Sequence, residues 1–301
     1  MKKNIFGFLR GKKTKPLPVV NNGINTVPLK EGQADAPLAN VQHLEPQQFI
    51  YGCGQSVGKQ REHNEDSIFA LSIATGGETS NSPIGLFVVA DGMGGHQYGE
   101  VASATAARTL AGYLLKHFHP YLVDPSTSMD ESIQDLMRSA INDAQRAVTQ
   151  AAPGSGTTLT AAFILGQQVT IGHVGDSRAY AIHPYGGGEP LTRDHSLVKR
   201  LEELGQISSE EAAIHPQRNV LYRAIGQGEQ LEPDVFTARF PQAGYLLLCS
   251  DGLWSVVSDI NLFQLVTSAP DLQGACHSLL AAANEAGGPD NISAIVVKLT
   301  A

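Results

Sequence analysis

The sequence predicts an α+β layered sandwich built on antiparallel strands, an expectation that rests on three features. Apolar runs of strand length come in groups, near 49–53, 66–73 and 85–90 and again at 157–165, 168–174 and 178–183. Helical patterns come in pairs, one pair between those groups and one near the C-terminal end. The link Gly175-Asp176-Ser177-Arg178 has the look of a hairpin turn between two apolar strands, so the second group reads as consecutive antiparallel strands. A parallel sheet would instead alternate single strands with single helices.

The elements follow in order. In the first group, Leu86, Phe87, Val88 and Val89 form a continuous apolar run bounded by glycines, the pattern of a strand covered on both faces. A helix is expected over 99–118, where Val101, Ala104, Ala107, Leu110 or Ala111, Leu114 and Phe118 recur at helical spacing. A second is expected over 130–150, with Ile133, Leu136 or Met137, Ala140 or Ile141, Ala144 and Val148 on one face. After the second strand group, the charged stretch near 196–220 reads as two short helices in a surface excursion, with Ser208 and Glu211 spaced as a capping box. Strands near 234–239 and 244–249, helices near 259–267 and 271–285, and a strand at 291–299 complete the chain.

The chain has 301 residues, 42% hydrophobic and 17% charged, enough apolar material for one principal domain over 49–301. Residues 1–48 carry seven Lys and Arg against three acids, a net +4, whereas the remainder carries 14 against 26, a net −12. That basic, Pro-containing segment has no sustained periodicity and is expected to be a disordered tail. Arg10 interrupts its apolar residues before they reach the length of a secretory core, and no run approaches a membrane span. Cys53, Cys249 and Cys276 form no CxxC pair and are odd in number, as expected of reduced cytoplasmic thiols rather than a disulfide frame or zinc site. The acidic body disfavours electrostatic binding of nucleic acid.

The chemistry is concentrated where apolar runs end. The stretch "GLFVVADGMGGHQYGE" carries its strand into Asp91 and a glycine cluster, and "YLLLCSDGLW" repeats the arrangement at Asp251-Gly252. Asp176 stands in the "GDSR" turn, Asp290 opens the last strand, and "REHNEDSIFAL" places Arg61, Glu65 and Asp66 just before another. Taken singly, each acid reads as a cap or turn residue. Several carboxylates converging at buried strand ends need cations, and an all-oxygen donor set suits magnesium or manganese. Two such ions about 3.5–4 Å apart polarise a phosphoryl group and lower the pKa of bound water toward about 7, which suits hydrolysis of a phosphate ester. Arg61 could clamp two phosphate oxygens; alone, it would read as a surface partner of Glu62 or Glu65.

Other chemistries find less support. "GSGTTLTAAF" lacks the lysine of a phosphate loop and reads as a turn entering a strand, and no HExxH sequence occurs. His173 reads as a core histidine. His96 and His195 lie near the acidic segments, where an acid or base role competes with that of a hydrogen-bonded loop residue.

Together the segments "REHNEDS", "VVADGMGGHQYGE", "SGTTLTAAFI", "HVGDSRAY", "LTRDHSL", "HPQRNVLYRAIG", "CSDGLW" and "GPDNIS", in this order, resemble the bacterial type of the metal-dependent PP2C, or PPM, protein serine/threonine phosphatases. The resemblance covers about residues 49–299. It implies a four-layer α-β-β-α sandwich with two central antiparallel sheets and metals at one end. It further implies hydrolysis of phosphoserine and phosphothreonine in proteins by a metal-activated water at a binuclear Mn2+ or Mg2+ centre. Asp91, Asp251 and Asp290 would hold the first ion, and Asp91, the Gly92 carbonyl and the Glu65-Asp66 segment the second. Arg61 would bind phosphate, and Asp176 with Asp251 would hold a weaker third ion. The 196–220 excursion matches the family's flap. Phosphorylated proteins, substrates of a serine/threonine kinase, would be the partners of a cytoplasmic monomer; the competing class is a noncatalytic phosphopeptide-binding scaffold of the same fold.

Three departures stand out. Met93 occupies the place of a histidine proposed as general acid in many eukaryotic relatives, and Ser255 follows "DGLW" where an aspartate is common. Where bacterial relatives often read Asn-Gln-Asp, this chain reads Asn64-Glu65-Asp66, which leaves open which acid approaches the second ion.

Overall fold

Two antiparallel sheets lie face to face, and pairs of helices cover their outer surfaces. The computed structural model describes residues 47–74, 82–94, 98–228 except 125, 128 and 130, and 231–300. The basic opening segment and His96 lie outside the described residues.

The first sheet contains β1 (Phe49–Ser56), β11 (Ile292–Leu299), β10 (Tyr245–Cys249), β7 (Arg178–Ile182) and β8 (Gly188–Pro190), in that spatial order. The second runs β2 (Asp66–Ile73), β3 (Ile84–Met93), β5 (Leu159–Leu165), β6 (Gln168–Val174) and β9 (Asp234–Arg239), with the two-residue β4 (Gly156–Thr157) also paired to β3. The unbroken apolar run of β3 is explained by this layering. Leu86, Val88 and Ala90 share a core with Leu110, Leu114, Met137 and Ile141 of α1 (Gly99–Val123) and α2 (Ile133–Ala151). Phe87 and Val89 share one with Leu246, Leu248, Ile295 and Val297 of the facing sheet. A strand with cores on both faces has no polar side to alternate with. On the first sheet, Leu247, Ala294 and Val296 pack with Phe263 of α6 (Asp259–Ser268) and Leu279 of α7 (Leu272–Glu285). This is the expected four-layer α-β-β-α order.

Four local expectations change. First, the Gly175–Arg178 link is no hairpin: β6 and β7 belong to different sheets, and the chain crosses between them here. Gly175, at φ +106°, makes the turn, and Asp176 is thereby set at the end of the sandwich. Second, the run 157–165 breaks at Thr158, whose hydroxyl accepts from Asp91 N–H and bonds to Ser177 Oγ. Third, the fully buried stripe of α1 runs through Gly99, Ala102, Ser103, Ala106 and Ala107, with Val101 only partly buried against the core, and Ser103 turns inward to donate to the Glu65 carbonyl at 2.6 Å. Fourth, α1 continues past Phe118 to Val123, where Tyr121 and Leu122 still pack on the core.

The excursion after β8 holds α3 (Leu197–Glu203) and α4 (Ser209–Ala213), and the Ser208–Glu211 capping box is formed. Its two stems are joined at the base by the Ser196–Leu221 bridge, by Leu197 N–H donating to Val220 O at 2.8 Å, and by Tyr222 N–H donating to His195 O at 2.9 Å.

Candidate metal centre

The end of the sandwich that receives β3, β10 and the Gly175 crossover gathers the acids. Asp91 on β3 stands directly opposite Asp66 on β2 in the antiparallel register. Like charges in that relation repel. Their positions are nevertheless held from behind: Asp91 N–H donates to Thr158 Oγ1 at 2.9 Å, and the Asp91 carbonyl accepts from Thr158 N–H at 2.8 Å and Thr157 Oγ1 at 2.9 Å. Asp66 Oδ2 accepts from Ser250 Oγ at 2.8 Å. Asp251 opens the single-turn α5 (Asp251–Trp254), an element that strand and helix periodicity is too coarse to find.

Asn291 ties the segment before β2 to the start of β11. Its Oδ1 accepts from Glu65 N–H at 2.8 Å, and its Nδ2 donates to the Val57 and His63 carbonyls at 2.9 and 2.8 Å. The Glu65 carbonyl in turn accepts from Gly92 N–H at 3.2 Å. At the rim, Arg61 Nη2 donates to Asp290 Oδ2 at 2.7 Å with its guanidinium half exposed, so its partner is neither Glu62 nor Glu65. Asp290 Oδ1 accepts from Asn291 N–H at 2.8 Å.

The electrostatics reports the convergence. Burial raises the pKa of Asp91, and Asp66, Asp251, Asp176 and Asp290 each push it further the same way. Burial followed by Asp290 raises Asp251; burial, then Asp251 and Asp290, raises Asp66; burial, then Asp251, raises Asp176. Glu65 is also raised, first by burial, against the lowering influence of Arg61. Among the described residues no three of these acids are already drawn together as a metal would hold them. Asp290 turns to Arg61 and Asp66 to Ser250 instead. Yet Asp66 Oδ1 and Asp251 Oδ1 are buried without any hydrogen-bond partner. Two orphaned carboxylate oxygens in one crowd of hard oxygen donors fit a divalent cation and little else, since a buried anion without a donor is costly.

Asp176 is reached through a clamp that the sequence did not reveal. Trp254 Nε1–H donates to the Asp176 carbonyl at 2.9 Å, and the Arg178 guanidinium lies 3.5 Å from the centroid of the same indole. Arg178 is itself gripped by Asp194 through bonds of 2.9 and 2.7 Å. Thr158, Ser250, Trp254, Asp194 and Asn291 thus join the site as supports. The only signal they left was their place inside or beside the quoted motifs.

A family model described as Protein phosphatase 2C matches residues 52–292, a span holding every acid above. The chain belongs to the protein phosphatase 2C family. It is 36% identical over 247 residues to the serine/threonine phosphatase stp of Listeria monocytogenes serovar 1/2a, covering 80% of this chain and 92% of that one. With protein phosphatase PhpP of Streptococcus pneumoniae serotype 2 it shares 34% over 251 residues, 81% and 94% of the two chains. The crystal structure of Mycobacterium tuberculosis PstP/Ppp superposes with TM-score 0.70 at 31% identity, covering 84% of this chain and all of that one. The catalytic domain of PstP in complex with two manganese ions superposes with TM-score 0.68 at 30% identity, covering 85% of this chain and 100% of that one.

Within this phosphatase 2C frame His173 and His195 are held by structural hydrogen bonds. His173 is buried between Thr160 Oγ1 and the Arg193 carbonyl, and burial lowers its pKa to about 4. His195 Nδ1 accepts from Gly175 N–H at 3.1 Å, which leaves Nε2–H to donate to Asp234 at 3.2 Å. Met93 takes only a long contact from Gln227 Nε2, 4.0 Å from its sulfur, and Ser255 caps α5 through the Asp251 carbonyl at 2.9 Å.

Proposed function

We propose that this phosphatase 2C chain removes phosphate from phosphoserine and phosphothreonine in proteins through two divalent ions, manganese or magnesium. The orphaned buried oxygens of Asp66 and Asp251, inside the span that the family model matches, carry the reading. Asp91, Asp251 and Asp290 would hold one ion; Asp91, the Gly92 carbonyl and the Glu65-Asp66 segment would hold the other. Asp176 with Asp251 would hold a weaker third, with Ser255 offering no carboxylate there. When bound, the ions supply Lewis-acid polarisation of phosphoryl oxygens and lower the pKa of water.

The chain's own residues do the positioning. Thr157 and Thr158 pin the Asp91 backbone so that its carboxylate cannot retreat from Asp66. Arg61, half exposed at the rim, can turn its fork from Asp290 to two substrate oxygens while staying beside the cluster. Asn291 holds the 57–65 segment that carries Arg61. No side chain beside Met93 is assigned to protonate the leaving oxygen.

The test measures phosphate release from p-nitrophenyl phosphate and a phosphothreonine peptide in excess EDTA and after manganese is restored. Chelation should abolish turnover and manganese should recover it, while thiol alkylation leaves it intact because Cys249 and Cys276 are buried and Cys53, which is only half-buried, is not among the residues proposed to hold the ions or the phosphate. Full activity in EDTA would remove the mechanism; none with any metal would favour the scaffold reading.

The proposed organisation is a catalytic body over 49–301 with the 196–220 excursion as its flap, in a cytoplasmic monomer; no helix among the described residues is long and apolar enough to cross a membrane. Deleting residues 1–45 should leave small-substrate turnover and thermal midpoint nearly unchanged. A midpoint drop of several degrees would make that segment part of the fold.

A further inference from the structure

A cavity of about 380 Å3 opens at the base of the excursion, lined by Arg193, His195, Arg200, Tyr222, Arg223 and Asp234. Its position follows from the sheet register. β9 runs antiparallel to β6 with Asp234 opposite His173, so the start of β9 lies at the end where β6 leads into Gly175 and Asp176. His195 joins the two places directly, exchanging bonds with Gly175 in both directions. The cavity and the acids therefore share one end of the sandwich and are separated by the Gly175 turn.

Its charge is opposite to that of the body. Residues 49–301 carry a net −12, yet three guanidiniums line this cavity. Arg193 pairs with Glu203, and Arg200 reaches toward the same carboxylate but stops at 3.8 Å, so one acid serves two cations. Asp234 is committed to Arg223 at 3.2 Å and to His195. A further acid, Glu232, stands 3.8 Å from Arg223 and is 88% exposed, too solvated to neutralise it firmly. Counting Arg193, Arg200 and Arg223 against Glu203 and Asp234 leaves +1, with planar donor forks still unfilled. Arg193 and Arg223 stand on the two stems of the excursion and Arg200 on α3 within it, so one anion could bridge all three parts.

We propose that this cavity is a second oxyanion site, taking a further phosphoryl group carried by the same phosphoprotein whose other phosphate reacts at the acids. The inference rests on the phosphatase reading and extends it to substrate class: multiply phosphorylated segments are preferred.

Fluorescence anisotropy with labelled peptides carrying one or two nonhydrolysable phosphonate groups tests it on the full chain with manganese. The wild type should bind the doubly substituted peptide about fivefold tighter at low salt, with the advantage shrinking as salt rises. Arg193→Ala combined with Arg200→Glu should erase the advantage, Arg200→Lys should keep part of it, and p-nitrophenyl phosphate turnover should stay unchanged in all. Equal affinity of the wild type for the two peptides, or an advantage that survives the double variant, overturns the site. If the double variant loses binding of inorganic phosphate by calorimetry without any change in peptide preference, the ligand is free phosphate and the substrate proposal fails. Because binding is read without turnover, a retained two-phosphate preference in a chain that hydrolyses nothing would sink the phosphatase reading alone.

Discussion

Asp91→Asn should lower kcat on the order of 10^3-fold with the fold intact. Asp91 lies where both proposed ions need an anionic oxygen, opposite Asp66 and close to Asp251, Asp176 and Asp290. An amide keeps the shape and the backbone bonds to Thr157 and Thr158 but donates where a cation requires an acceptor. In the metal-free chain the same change replaces a buried carboxyl that burial and four neighbouring acids already push toward its neutral form, so its thermal midpoint should hold or rise. Arg61→Ala provides the contrast: a half-exposed rim residue that only positions substrate should raise KM by about tenfold and leave kcat within a few-fold. Steady-state kinetics of the two variants beside calorimetric counting of bound manganese decides. Wild-type turnover in Asp91→Asn would end its bridging role, and a collapse of kcat in Arg61→Ala would move that arginine into the chemical step.

Gly252→Ala should destabilise the protein by about 3 kcal/mol and cost activity as well. A Cβ at Gly252 would lie 2.0 Å from the Asn291 carbonyl oxygen, a backbone atom with no rotamer into which to escape. Either α5 must move, taking Asp251 with it, or the Asp290–Asn291 segment must. The second route would strain the bonds that Asn291 makes to Glu65, Val57 and His63, and with them the placing of Arg61. Gly112→Ala is the control. Nothing lies within 4 Å of a Cβ there, so alanine inside α1 should stabilise by about 0.5–1 kcal/mol. Urea midpoints of the pair measure the difference, and an unchanged midpoint for Gly252→Ala would show that the junction yields at no cost.

Much of this centre is legible in the amino-acid sequence because carboxylates at the ends of apolar runs are improbable without a purpose. Asp91 and Asp251 are singled out by recurrence, since the same costly placing of a carboxylate at the end of a buried strand occurs twice. The supporting residues cannot. Thr158 looks like any threonine entering a strand, yet it interrupts one to hold Asp91 and Ser177. Trp254 has the composition of core, and only its indole N–H on the Asp176 carbonyl shows what it does. Hydrogen bonds between residues scores of positions apart leave no periodic trace.

The α+β layering, the long apolar strands and the acids at their ends were legible in the sequence by itself, since apolar period and strand-end charge are local properties with a direct physical cost. Which strands share a sheet was decided only in three dimensions. The link at Gly175–Arg178 has the composition of a hairpin, but β6 and β7 part company there because each can bury its apolar faces in a different sheet. The crossover sets Asp176 at the end of the sandwich and brings His195, and with it the arginine cavity, against the same turn. Local pattern states how much surface a strand must bury; only the packed sheets state against which neighbour it is buried, because any apolar face of the right period satisfies the local requirement.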